Sequence, residues 1–171
     1  ASHNYRKALS LNKNNPVSMN NLAICQLNLG RQHDALALYR DLVVLNPDLG
    51  GVHNNLGQVL QGLGRHDEAV DAFRQALALD QTIDNLAPFL MQSLMYQCAW
   101  DDLGEIKDRV LAETRRRLAD NQPITVQPFS LAGTDAPADL RLAAARSYSA
   151  YCGANVTALR DRLAFTYAPA T

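Results

Sequence analysis

The chain has 171 residues, 47% of them hydrophobic, 19% charged and 6% aromatic, with 16 Lys and Arg against 17 Asp and Glu. That is the composition of a globular chain able to bury a core in one or two domains, and a net charge of -1 argues against nucleic acid or an anionic membrane as a partner. No apolar run approaches the roughly 20 residues a membrane helix needs, and Ala1-Ser2-His3-Asn4 opens no charged leader before a greasy stretch, so the expectation is a soluble, cytoplasmic protein.

In chain order, the first feature is a gapless repeat whose constant offset is the step from Ala1 to Ala35 and again from Ala35 to Ala69. Tyr5, Tyr39 and Phe73 fall in the same register, each followed by arginine (Arg6, Arg40, Arg74). Leu9–Asn12, Val43–Asn46 and Leu77–Asp80 match four residues later, and upstream Asn20-Asn21-Leu22-Ala23 matches Asn54-Asn55-Leu56-Gly57, with Gly30-Arg31 matching Gly64-Arg65.

These positions resemble the tetratricopeptide repeat, a helix-turn-helix unit. Small residues at Ala23/Gly57 and Ala35/Ala69 would let paired helices approach closely, with Tyr39 and Phe73 filling the space toward the next repeat. Gly30 and Gly64 suit a left-handed cap at the end of the first helix, and Asn46-Pro47 ends the second because proline cannot continue it. The units run 1–15 (second helix only), 16–49, 50–83 and a degenerate unit over 84–120. A start at a second helix, without Met, suggests a piece of a longer protein whose exposed first helix is prone to self-association.

In the fourth unit Leu90 and Leu94 keep the spacing, but Cys98 replaces the turn glycine. Asp101 or Asp102 is expected to cap a helix carrying Leu103, Ile106, Val110 and Leu111 on one face. Asn121–Ser130 reads as extended through its prolines, followed by a helix over Ala138–Cys152 stopped by Gly153.

The order of Cys98-Ala99-Trp100-Asp101-Asp102, Gln127–Leu131, Arg141–Tyr148 and Arg162–Tyr167 resembles the junction in O-linked N-acetylglucosamine transferases and their bacterial SPINDLY-like relatives. The resemblance implies that 121–161 is a linker and capping helix and that 162–171 is the first strand of a catalytic domain lying beyond Thr171. The fold class expected is therefore all-α: a right-handed tetratricopeptide superhelix, an α-solenoid, with C-terminal linker helices and an orphan β-strand. The resemblance also implies that the parent transfers N-acetylglucosamine from a UDP-sugar to protein Ser or Thr, with no catalytic residue in this chain. The alternative is a stand-alone tetratricopeptide scaffold or assembly protein with a C-terminal capping helix.

Within the chain no G-x-G-x-x-G, P-loop, H-E-x-x-H or G-x-S-x-G occurs, so no cofactor is expected. His3, His33, His53 and His66 scatter over repeat positions that do not converge on a metal. Cys25, Cys98 and Cys152 are odd in number and lack a C-x-x-C pair, which favours reduced, packed thiols; Cys98 and Trp100 read as buried junction residues. Arg115-Arg116-Arg117 reads as a solvated helix end that complements the dipole. The candidate binding residues are Asn21 and Asn55, at one repeat position, with their neighbours Asn20 and Asn54. The family resemblance implies an asparagine ladder on the concave side, where carboxamides bond a guest protein or peptide main chain whatever its side chains. The third equivalent is Phe89, so the ladder ends there.

Overall fold

The computed structural model describes residues 15–124 and 126–163. They form eight α-helices and one 3-10 turn, with no strand among the described residues. The chain divides into two compact units, through Ile106 and from Lys107 onward.

The first unit contains α1 (Pro16–Asn28), α2 (Gln32–Leu45), α3 (Gly50–Gly62), α4 (His66–Leu79), α5 (Leu86–Tyr96), the 3-10 turn Trp100–Asp102 and the start of α6 (Leu103–Ala119). Each of α1 to α4 packs on its successor, and α3 also packs on α5, so first helices of successive repeats lie side by side. α1 begins because Pro16 presets the first helical residue while the Asn15 carboxamide accepts from the Ser18 N–H at 3.0 Å. It ends in a 6→1 and 5→2 pair of turns, with Arg31 N–H donating to Gln26 O and Gly30 N–H to Leu27 O, both at 2.9 Å. Gly30 and Gly64 both sit at φ 73°, where an added Cβ would meet nothing; their requirement is conformational.

At Gly57 the requirement is space. A Cβ there would lie 2.6 Å from the Phe73 ring, which is completely buried, like Ala23, Ala35 and Ala69. The expected aromatic packing is present, with Tyr39 1% exposed. Helix ends after α2 and α4 use different devices: Pro47 follows the first, whereas Asp80 accepts from the Thr82 N–H at 2.8 Å and hydroxyl at 2.6 Å after the second. These bonds hold the Asp80 carboxyl below its usual range, the Thr82 hydroxyl first.

The second unit comprises the rest of α6, α7 (Pro128–Ala132) and α8 (Ala138–Leu163), with Val110, Ile124, Leu131 and Ala144 fully buried. Ile124 N–H donates to the Ser147 hydroxyl at 3.2 Å, tying the loop to α8. Three expectations are corrected here. Pro128 opens a one-turn helix, because proline fits the first helical position. Gly153 does not stop α8, since it lies in helical conformation and the helix continues; a helical glycine costs about 1 kcal/mol but does not by itself break a run rich in alanine. Arg162 and Leu163, assigned to the orphan strand, end α8 instead, because their backbone groups continue its intrahelical pattern; the rest of that strand, and the first helix over 1–14, lie outside the described residues.

Candidate functional site

The side-by-side first helices α1, α3 and α5 form a wall whose solvent-facing positions recur once per repeat. The rows are Val17/Gly51/Asn85, Asn21/Asn55/Phe89, Ile24/Gln58/Gln92 and Asn28/Gly62/Tyr96, all partly or fully exposed. Spacings of three, four and seven residues along each helix put the rows on one face. Asn55 Nδ2 donates to Asn20 Oδ1 at 3.1 Å, so the candidate residues meet as a cross-repeat pair, one position out of strict register.

That pair explains the fate of Asn54. In register, Asn54 stands to residue 89 as Asn20 stands to Asn55, but Phe89 has no side-chain donor. Asn54 is 7% exposed and its Oδ1 has no hydrogen-bond partner. Phe89 instead stacks on Phe73, with centroids 6.1 Å apart and planes 10° apart. Gln61 supplies the polar tie between α3 and α5, donating to Phe89 O at 3.0 Å and to the Ser93 hydroxyl at 2.9 Å. The Asn20–Asn55 pair therefore retains one donor and one acceptor side, Asn20 Nδ2 and Asn55 Oδ1, for another polar group.

Sequence reasoning missed a second cross-repeat series. Arg40 pairs with Glu68 at 3.0 Å, and Arg74 pairs with Asp102 at 2.6 Å. Arg74 and Asp102 each lie one full repeat beyond Arg40 and Glu68, so the signal was in the repeat. Asp102, expected as a cap for α6, thus reaches back to Arg74. Glu68 also bonds Arg65 Nε at 2.6 Å, and Arg65 followed by Arg40 holds its carboxyl below the usual range.

Family models described as tetratricopeptide repeat match residues 4–37 and 52–83. The chain carries tetratricopeptide repeats. Among solved structures, a crystal structure of MamA is 17% identical and covers 93% of this chain and 89% of that one, with a TM-score of 0.64. YrrB, described as a TPR protein with an unusual peptide-binding site, is 19% identical over 88% of this chain and 85% of that one, with a TM-score of 0.53. At these identities the likeness establishes the α-solenoid fold. No curated protein matches the sequence.

Around the tetratricopeptide wall the other candidates separate. His53 is buried with Nε2 2.8 Å from Pro47 O, and His66 stacks on Tyr96 at 4.3 Å. No group of three or more His, Cys, Asp or Glu among the described residues could hold a metal, and no described helix is long and apolar enough to cross a membrane.

Cys98 and Trp100 are exposed, contrary to expectation; they lie in the turn between α5 and α6. Cys98 keeps the glycine conformation at φ 56°, with Ala99 N–H donating to Leu94 O at 3.0 Å as in the two glycine turns. Arg115 and Arg116 are exposed, but Arg117 is not a solvated helix end. It is 6% exposed, donating to Glu113 Oε1 at 3.0 Å and Pro123 O at 3.3 Å, because the chain reverses over the helix terminus. The same left-handed device recurs there at Asn121, φ 52°.

Proposed function

We propose that this chain is a non-catalytic tetratricopeptide scaffold that holds a segment of another protein against the wall formed by α1, α3 and α5, with Asn21 and Asn55 as its central contacts and Asn20 and Asn54 behind them. The observation that carries this reading is the Asn55–Asn20 bond, which fixes two carboxamides while leaving a donor and an acceptor for a guest main chain. A row of fixed carboxamides bonds an extended chain with little dependence on its side chains. The three unpaired cysteines fit a reducing compartment, the cytoplasm.

Peptides selected from a random phage-displayed library test the reading. Replacing Asn21 and Asn55 together by Ala is expected to weaken their binding about thirtyfold, since each of the two net hydrogen bonds is worth about 1 kcal/mol, in a chain that stays folded although it loses the Asn55–Asn20 bond. Unchanged affinity counts against the wall as the binding surface. A finer placement, next to a sugar-transferring domain of the N-acetylglucosamine transferase type, is supported only by the motif order from Cys98 to Tyr167. A reading frame continuing past Thr171 into such a domain would support it; a scaffold needs none.

A further inference from the structure

The three wall helices differ from their partners in one respect that packing does not require. α1, α3 and α5, of 13, 13 and 11 residues, contain no Asp, Glu, Lys or Arg in a chain that is 19% charged. Their partners carry Asp34, Arg40 and Asp41 in α2 and Asp67, Glu68, Asp71 and Arg74 in α4. The exposed wall positions are uncharged throughout but mixed in polarity: Val17 and Ile24 stand beside Asn21 and Asn28 on α1, Asn55 and Gln58 lie on α3, and on α5 Phe89 is half-buried and Tyr96 is 65% exposed. Solvated helix faces ordinarily carry charge, so leaving these neutral needs another explanation.

We infer that the wall selects uncharged polypeptide segments, taking main-chain amides at Asn21 and Asn55, with Asn20 beside them, and an apolar side chain beside Phe89 and Tyr96. This rests on the peptide-binding reading above and adds the partner's chemistry. A guest carboxylate or ammonium laid on these three helices would lose hydration and find no counter-charge on them, the nearest charges being Arg65, Asp67 and Glu68 at the edge beside Tyr96. An uncharged segment loses only main-chain hydration, which the carboxamides replace, and its apolar group gains from leaving water against the two rings.

Panning the 171-residue chain against a library of random phage-displayed dodecapeptides, followed by calorimetry of the synthetic binders, tests the inference. The expected binders are depleted in Asp, Glu, Lys and Arg, and their Kd changes less than about twofold between roughly 50 and 500 mM NaCl, because screening acts only on charge. Charged binders whose Kd rises about tenfold over that range would overturn the neutral-partner inference while leaving peptide binding intact. Binders indifferent to the Asn21→Ala, Asn55→Ala pair, or no enriched peptide at all, would overturn the binding reading itself. A second arm places charge on the half-exposed wall by Gln58→Lys with Gln92→Lys. Selection should then turn toward acidic peptides, and a folded variant that still selects neutral ones also overturns the inference.

Discussion

The repeats over 16–97 and the body from Lys107 onward are both helical, yet they are held together by different kinds of contact. In the repeats the main packing contacts have a counterpart one repeat away: Ala35 and Ala69, Tyr39 and Phe73, the Arg40–Glu68 and Arg74–Asp102 pairs, the turns at Gly30, Gly64 and Cys98. In the second body the ties occur once, at Arg117, Ser147 and Thr134, whose hydroxyl donates to Leu131 O at 2.7 Å. A repeated contact is one of a series with equivalents elsewhere, whereas a unique one has no substitute.

The sharpest way to break this contrast is Arg117→Ala. It removes the Arg117 partner of Glu113, which has 15% of its side chain exposed, and takes the Arg117 donor from Pro123 O. Removing one partner of a buried ion pair is expected to destabilise the second body by about 3 kcal/mol. Hydrogen exchange should show faster amides in α6 to α8 with those of α1 to α4 unchanged. Uniform acceleration through the repeats would show that the two regions do not respond independently.

Next comes Gly57→Val, which forces a side chain into the buried Phe73 ring; overpacking of this kind is expected to cost about 2 kcal/mol. Gly51→Ala is the control, since its Cβ meets nothing within 4 Å and alanine favours the helix. Comparable urea midpoints for the two variants would show that the Gly57 approach is not tight. Smaller still is Cys98→Gly, which should stabilise by about 1 kcal/mol, because a side chain at φ 56° is strained. A lower midpoint would mean that the Cys98 thiol contributes more than its backbone costs.

These contrasts also explain what the sequence revealed. The helix pairs, the small residues at Ala23 and Gly57 and the glycine turns were legible because each is a local requirement repeated at one period. The Cys98 turn kept its geometry after losing its glycine, because the hydrogen bonds from Cys98 and Ala99 to the end of α5 impose it. Arg117 was misread because its burial depends on where the loop through Pro123 returns, which no local pattern encodes. Wall register was visible in Asn21 and Asn55; the bond from Asn55 to Asn20 was not, since it depends on how neighbouring first helices sit against one another.

The smallest effect tests whether the cross-repeat ion pairs contribute to the regularity at all. Glu68 is held below its usual 4.5, first by the Arg65 side chain and then by Arg40. A carboxyl whose folded value is depressed contributes stability above the unfolded value and loses it as pH falls through the folded one. Glu68→Gln should therefore lower the urea midpoint slightly at pH 7, and the gap to the parent chain should close as pH falls below the usual 4.5 and through the depressed folded value. About 0.5 M NaCl should shrink the gap at pH 7, because both side chains of the Arg40 pair are roughly half exposed and screened by salt. A gap that persists at low pH would assign the loss to packing of the Glu68 stem, leaving the shape-based contacts at Ala35, Ala69, Tyr39 and Phe73 as what sets the repeat.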